Sequence, residues 1–247
     1  MSIMKVGLFI PCYVDQFFPG AAIATLKLLE ALGADVSYPP DQTCCGQPMA
    51  NSGFEHLSPG CNKLFIENFG QFDYIVAPSG SCVLHIRDHL TDDRNPQVAD
   101  DIRHRIYELT SFLTDILKVE KLDAKFPYRV GVHQSCHGQR GLHISSMTEL
   151  VAPEFSKPAS LLNLVKGIEL IELDRKDECC GFGGTFCVTE ESVSVKMGKD
   201  RVADHVKHEV QYITGVDMSC LMHMEGILKR QGSKVKIIHI AEILNAK

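Results

Sequence analysis

The chain repeats itself, and the repeat fixes how many units it folds into. KVGLFIPC, ending at Cys12, matches RVGVHQSC, ending at Cys136, with Val6 and Gly7 opposite Val130 and Gly131. An adjacent cysteine pair followed by glycine comes next in each half. DQTCCGQP carries Cys44, Cys45 and Gly46, and DECCGFGG carries Cys179, Cys180 and Gly181. Third, YIVAPSGSCVLHI lines up with YITGVDMSCLMHM, so that Tyr74, Ser81, Cys82 and His85 fall opposite Tyr212, Ser219, Cys220 and His223. Three landmarks recur in one order, about 125 to 135 residues apart, a period too long for a solenoid. They describe a duplicated domain. The join falls in VEKLDAKFPYRV, where charges and Pro127 interrupt the apolar pattern. This divides the chain into residues 1–125 and 126–247.

Each half alternates strand and helix patterns. MKVGLFIP, ADVSYP and DYIVAP read as strands, as do YRVGVH, IELIEL, VQYITG and KVKIIHI. PGAAIATLKLLEALG has Pro19 in front, Gly33 behind and helical spacing between. NKLFIENF, PASLLNLVKG, ESVSVKMGKDRVADHVKH, CLMHMEGILKRQG and AEILNA read as further helices, and DDRNPQVADDIRHR as a solvated helical face. Strands alternating with helices imply parallel pairing through right-handed crossovers. The expected fold is α/β: two pseudo-symmetric units with parallel sheets. Every repeated cysteine follows a predicted strand, and the carboxyl ends of parallel strands form the ligand crevice. Distant cysteines therefore converge, and each vicinal pair completes a four-thiol cage with one cysteine before it and one after.

Ten cysteines in 247 residues is a high count. The opening MSIMKVGLFIPCY lacks the features of a signal peptide, so the expectation is a cytoplasmic protein, where clustered thiols mean metal or redox chemistry more than disulfides. A net charge of -6 argues against nucleic acid, and no apolar run approaches the roughly 18 residues of a membrane span. Four thiolates suit zinc or an iron–sulfur cluster. Structural zinc favours short CxxC knuckles, whereas 31 residues separate Cys12 from Cys44, 36 separate Cys45 from Cys82, and the second half has 42 and 39. Such gaps fit a larger inorganic core. Gly46, Gly181, Gly183 and Gly184 let backbone N–H groups approach a negatively charged four-iron centre; a plain turn is the competing reading.

Cys, then CCG after 31 to 42 residues, then Cys after 36 to 39, present twice, resembles the cysteine-rich CCG domain. That domain occurs in heterodisulfide reductase and in the iron–sulfur subunits of glycolate oxidase and anaerobic glycerol-3-phosphate dehydrogenase. Two such domains with no ferredoxin module, together with CCGQP, SGSC, CCGFGGTF and HIAE, resemble the lactate-utilisation protein A family across nearly the whole chain. The resemblance implies an iron–sulfur electron-transfer subunit of a cytoplasmic complex oxidising L-lactate to pyruvate, not an enzyme on its own. Its implied partners are a ferredoxin-like iron–sulfur protein and a third small subunit. It also implies one or two clusters, of the [4Fe-4S] type, held by Cys12, Cys44, Cys45 and Cys82 and by Cys136, Cys179, Cys180 and Cys220.

The last motif departs from that of heterodisulfide reductase, whose CCG domains end in CxxC. Ser79 and Asp217 stand where the extra cysteine would be, so an oxygen ligand, an open iron or an ordinary cubane are all compatible with the sequence. Cys187 and Cys61 lack repeat partners and read as small buried residues, Cys187 being the better extra ligand candidate. His85 and His223 lie one helical turn past the last cysteine of each half, placed to tune a cluster or relay protons, or simply to fill core. His133 and His137 flank Cys136 without counterparts in the first half. Two rival functions remain: a zinc-binding structural or assembly module, and a thiol–disulfide oxidoreductase.

Overall fold

The computed structural model describes residues 4–247. Met1–Ile3, which precede the stretch read as the first strand, lie outside the described residues. In the first half, β1 (Lys5–Leu8), β2 (Asp35–Ser37), β3 (Tyr74–Ala77) and β4 (Ile106–Glu108) alternate with α1 (Cys12–Phe17), α2 (Pro19–Ala31), α3 (Gln47–Asn51), α4 (Pro59–Phe69), α5 (Gly80–His89) and α6 (Pro96–Arg105). Helix α7 (Leu109–Ser111) closes this half and widens into a π turn over Phe112–Ile116. The second half contains β5 (Arg129–His133), β6 (Glu169–Ile171), β7 (Tyr212–Gly215) and β8 (Lys236–His239), with α8 (Lys157–Leu162), α9 (Phe186–Thr189), α10 (Glu191–Lys207), α11 (Met218–Arg230) and α12 (Ile240–Leu244).

Two four-stranded parallel sheets result, in the orders β2-β1-β3-β4 and β6-β5-β7-β8. The register repeats as the sequence does: Val6 faces Tyr74, and Val130 faces Tyr212. Strands covered on both faces favour branched and long apolar residues throughout, and Val6, Leu8, Ile75, Val76, Val130 and Ile213 are fully buried. Helix α2 begins at Pro19, whose fixed φ and missing N–H suit a first turn. Strand β4 and helix α7 occupy IYELTSFL, to which the sequence pattern assigns no element.

The halves are not merely tethered. Their buried apolar residues form one contiguous core. The helix after the last strand of each half packs on a helix of the other, α7 on α8 and α12 on α2. Ser79 and Asp217, at the N-termini of α5 and α11, pair as an antiparallel bridge where the halves meet. Among the described residues no helix is long and apolar enough to cross a membrane.

Candidate metal centre

The structure brings the eight repeated cysteines together in two sets of four. In the first, the Cys12 and Cys44 sulfurs lie 3.8 Å apart, and thiol contacts continue from Cys44 to Cys45 and from Cys45 to Cys82. The second set repeats the chain of contacts in order, Cys136 to Cys179 to Cys180 to Cys220. Each first member opens a helix or turn directly beyond the central strand of its sheet, and each last member lies in the first turn of α5 or α11. All ten cysteines are free thiols. Both sets line one cavity of about 430 Å³ between the halves. A second cavity, about 480 Å³, opens beside β5 and β6 and touches none of the cysteines.

Neighbouring thiols first, and local backbone geometry after them, bias the charge of each set. Gly46 and Gly181 take the left-handed conformation, with φ of +94° and +82°, which glycine adopts without the β-carbon penalty. That turn aims the Gly181 N–H at Cys179 Sγ, 3.3 Å away, and the Gly46 N–H bonds Cys44 in the same way. Cys44 also accepts from the Cys12 thiol, with the Cys45 thiol beside it, and the Cys136 and Cys180 thiols flank Cys179 likewise. Those bonds hold both residues far below the usual thiol range, at about 2. The same sharing, with burial, pushes Cys12, Cys45, Cys136 and Cys180 up. Each set thus gathers four sulfur donors, one of them favoured as thiolate, an array suited to soft metals. Metal binding releases the remaining protons.

The other candidates fall in several places. His85 stacks on His89, with centroids 4.8 Å apart, and lies beside Gly46; burial lowers its pKa to about 4. His223 approaches the Ser194 carbonyl at 3.4 Å, and burial lowers its pKa too. Asp217 is already engaged. Its Oδ1 accepts from Ser79 Oγ (3.0 Å), Ser81 N (2.9 Å) and Ser81 Oγ (2.8 Å), and its Oδ2 from Ser135 Oγ. Ser79 in turn accepts from the Cys82 N–H and caps α5. Cys187 is half-buried, and its thiol donates to the Gly184 carbonyl; Cys61, also half-buried, lies within α4. His133, which has no repeat partner, also comes to the thiols: a ring nitrogen and the Cys180 and Cys220 sulfurs all lie within 4.8 Å of one another. Its signal in the sequence is that asymmetry itself, histidine where the first half has Phe9.

With this geometry the chain can be set beside known proteins. The model of the CCG cysteine-rich domain matches residues 6–87 and 130–225. The lactate utilization protein A of Geobacillus sp. (strain WCH70) is 40% identical over 248 residues, covering 99% of this chain and 100% of that one. The chain belongs to the lactate utilization protein A family. The members of that name from Exiguobacterium sp. (strain ATCC BAA-1283 / AT1b) and Bacillus subtilis (strain 168) are 42% and 40% identical, each covering at least 97% of both chains. A hypothetical protein from Helicobacter pylori shares the fold, with a TM-score of 0.61 at 12% identity; the match covers 97% of this chain and spans about half, 48%, of that one. The lactate utilization protein A family is thus joined by sequence, and the Helicobacter protein by architecture alone.

Proposed function

We propose that this chain is an iron–sulfur electron-transfer subunit of a cytoplasmic complex that oxidises L-lactate to pyruvate. The carrying observation is the pair of matched four-thiol sets opening on one cavity. Cys12, Cys44, Cys45 and Cys82 would hold one [4Fe-4S] cluster, and Cys136, Cys179, Cys180 and Cys220 a second. Such clusters supply one-electron storage, which two sites in one chain need if a two-electron oxidation is to be received. The residues of the chain do the rest. The Gly46 and Gly181 N–H groups offset the negative charge of each set, and the Ser79–Asp217 clasp holds the two sets in one relative position. The relatives' names supply the substrate; the ferredoxin-like and third small subunits are the proposed partners. Val188 on the cavity rim is 78% exposed, the kind of apolar surface a partner covers. We also divide the chain into domains 1–125 and 126–247, one per sheet.

A zinc site remains the second reading, because His133, Cys180 and Cys220 offer the nitrogen and sulfur donors zinc takes. Metal analysis of anaerobically prepared protein decides. The iron–sulfur reading expects brown protein with up to eight iron and eight sulfide per chain, from two four-iron sites, and absorbance bleached by dithionite. Colourless protein with stoichiometric zinc, or metal-free protein with reversible loss of thiols, rejects it. Recovery of the lactate-dependent partners by affinity capture from lactate-grown cells tests the complex.

A further inference from the structure

The two cages are built alike, but the strand residue two past the repeated glycine differs between the halves. In the first half Phe9, two residues past Gly7, meets Phe65 and Phe69 of α4 edge-on, with centroids 5.0 and 5.6 Å away. In the second half His133, two residues past Gly131, takes the corresponding place on β5. There α10 supplies Arg201 and His205, again four residues apart. All six side chains are buried, Arg201 and His205 completely. At this position three aromatic rings have become two histidines and an arginine, while His85 and His223 stay matched in the two halves.

Neither ring nitrogen of His133 has a hydrogen-bond partner within the protein, and neither has one in His205. Buried polar groups are rarely left so, and an unpaired one is costly. Arg201 is held through its two terminal nitrogens, its Nε having no partner: Nη1 donates to the Arg175 carbonyl at 2.5 Å and to Asp204 Oδ2 at 3.2 Å, and Nη2 to the Val132 carbonyl at 3.5 Å. Asp204 offsets part of that charge. The imidazole of His133 thus has an unpartnered ring nitrogen within 4.8 Å of two cage sulfurs.

We infer that His133, with Arg201 behind it, gives an N–H dipole to the second cage and makes it the more easily reduced of the two, so that an electron entering the protein comes to rest there. This rests on the iron–sulfur reading above. Reduction adds one negative charge to a poorly solvated site. A hydrogen-bond donor and a nearby guanidinium stabilise that charge, whereas phenylalanine rings do not. With both sites loaded, one electron would pass from the cluster held by the Cys12 set to the cluster held by the Cys136 set, the first oxidised and the second reduced by one electron, and no proton is assigned. His133 acts on the site directly, and Arg201 acts from behind it.

The test is a redox titration of the anaerobically reconstituted full-length protein, followed by electron paramagnetic resonance. Iron and sulfide content is measured first, so that failure to load rejects the iron–sulfur reading rather than this one. Two one-electron waves are expected, apart by more than tenfold in reduction equilibrium, which is 59 mV for one electron. Cys179→Ser should remove the upper wave. His133→Phe, which copies the first half, should bring the upper wave to the lower, and His133→Gln, which keeps an N–H donor, should preserve most of the gap. If His133→Phe does not fold, Phe9→His decides by raising the lower wave. A single wave in the wild type, a gap that survives His133→Phe, or a lower wave unmoved by Phe9→His overturns the proposal.

Discussion

A β-carbon at position 181 would stand 2.7 Å from Met197 Cβ and 2.7 Å from the Ser194 carbonyl oxygen. At position 46 the nearest atom is 3.4 Å away. Both glycines are left-handed, so alanine costs about 1–2 kcal/mol at either from backbone strain. Only at 181 does close packing add about 1–3 kcal/mol more. Gly181→Ala is therefore expected to lower the melting temperature by about 5–15 °C and to reduce metal content in the second cage, as its N–H leaves Cys179. Gly46→Ala should lose less than half as much. Equal losses in calorimetry would show that the tight contact at 181 does not matter. The repeated CCG made both glycines visible in the sequence. Arg201 was not visible as a cage residue: DRVADHVKH reads as a charged helix, and nothing local says that one cation on it is fully buried.

At the scale of elements, the two closing helices share a plan with opposite chemistry. Glu108 caps α7, accepting from the Thr110 and Ser111 N–H groups at 2.9 and 3.2 Å. His239 caps α12: its Nδ1 accepts from the Ala241 N–H at 3.2 Å, while Glu242 accepts from the His239 N–H at 3.0 Å. Burial, partly offset by the nearby Val216 and Pro78 carbonyls and Asp217, depresses the His239 pKa to about 4. The folded value lies below the unfolded 6.5, so this contribution is complete above pH 6.5 and is lost as pH falls through 4. It amounts to about 3 kcal/mol. Burial raises Glu108 to about 7, so its contribution is present below pH 4.5 and lost as pH climbs through 7. His239→Asn keeps a cap acceptor that does not titrate. Denaturant unfolding between pH 6.5 and 4 should show the variant's stability falling about 3 kcal/mol less than the wild type's; parallel curves would refute the assignment. KVKIIHI followed by AEILNA announced β8 and α12 by their apolar run and polar break. IYELTSFL hid β4 and α7, since three strand residues pass into helix with no glycine or proline between them, and Glu108 looks like surface until its cap is seen.

At the scale of the molecule, the duplication predicted two sheets and thiols at their carboxyl ends, but strand and helix periods carry no information on how two units face each other. The shared cavity was illegible for that reason. The contacts that create it also bear on autonomy. One core runs through both halves, α12 rests on α2 and α7 on α8, and Asp217 gathers Ser79 and Ser81 from the first half and Ser135 from the second. Cutting between residues 125 and 126 exposes that apolar seam and strips Asp217 of its donors across it; burial returns about 25 cal/mol per Å² of apolar surface, against a whole-domain stability of only about 5–15 kcal/mol. Residues 1–125 and 126–247, made as separate chains, should each lack a cooperative thermal transition by circular dichroism. Mixed at equal concentration, they should form a 1:1 complex by size-exclusion chromatography and regain one. A fragment melting alone near the temperature of the intact chain would make each half a self-sufficient domain, and the cavity between them a secondary consequence of tethering rather than part of the fold.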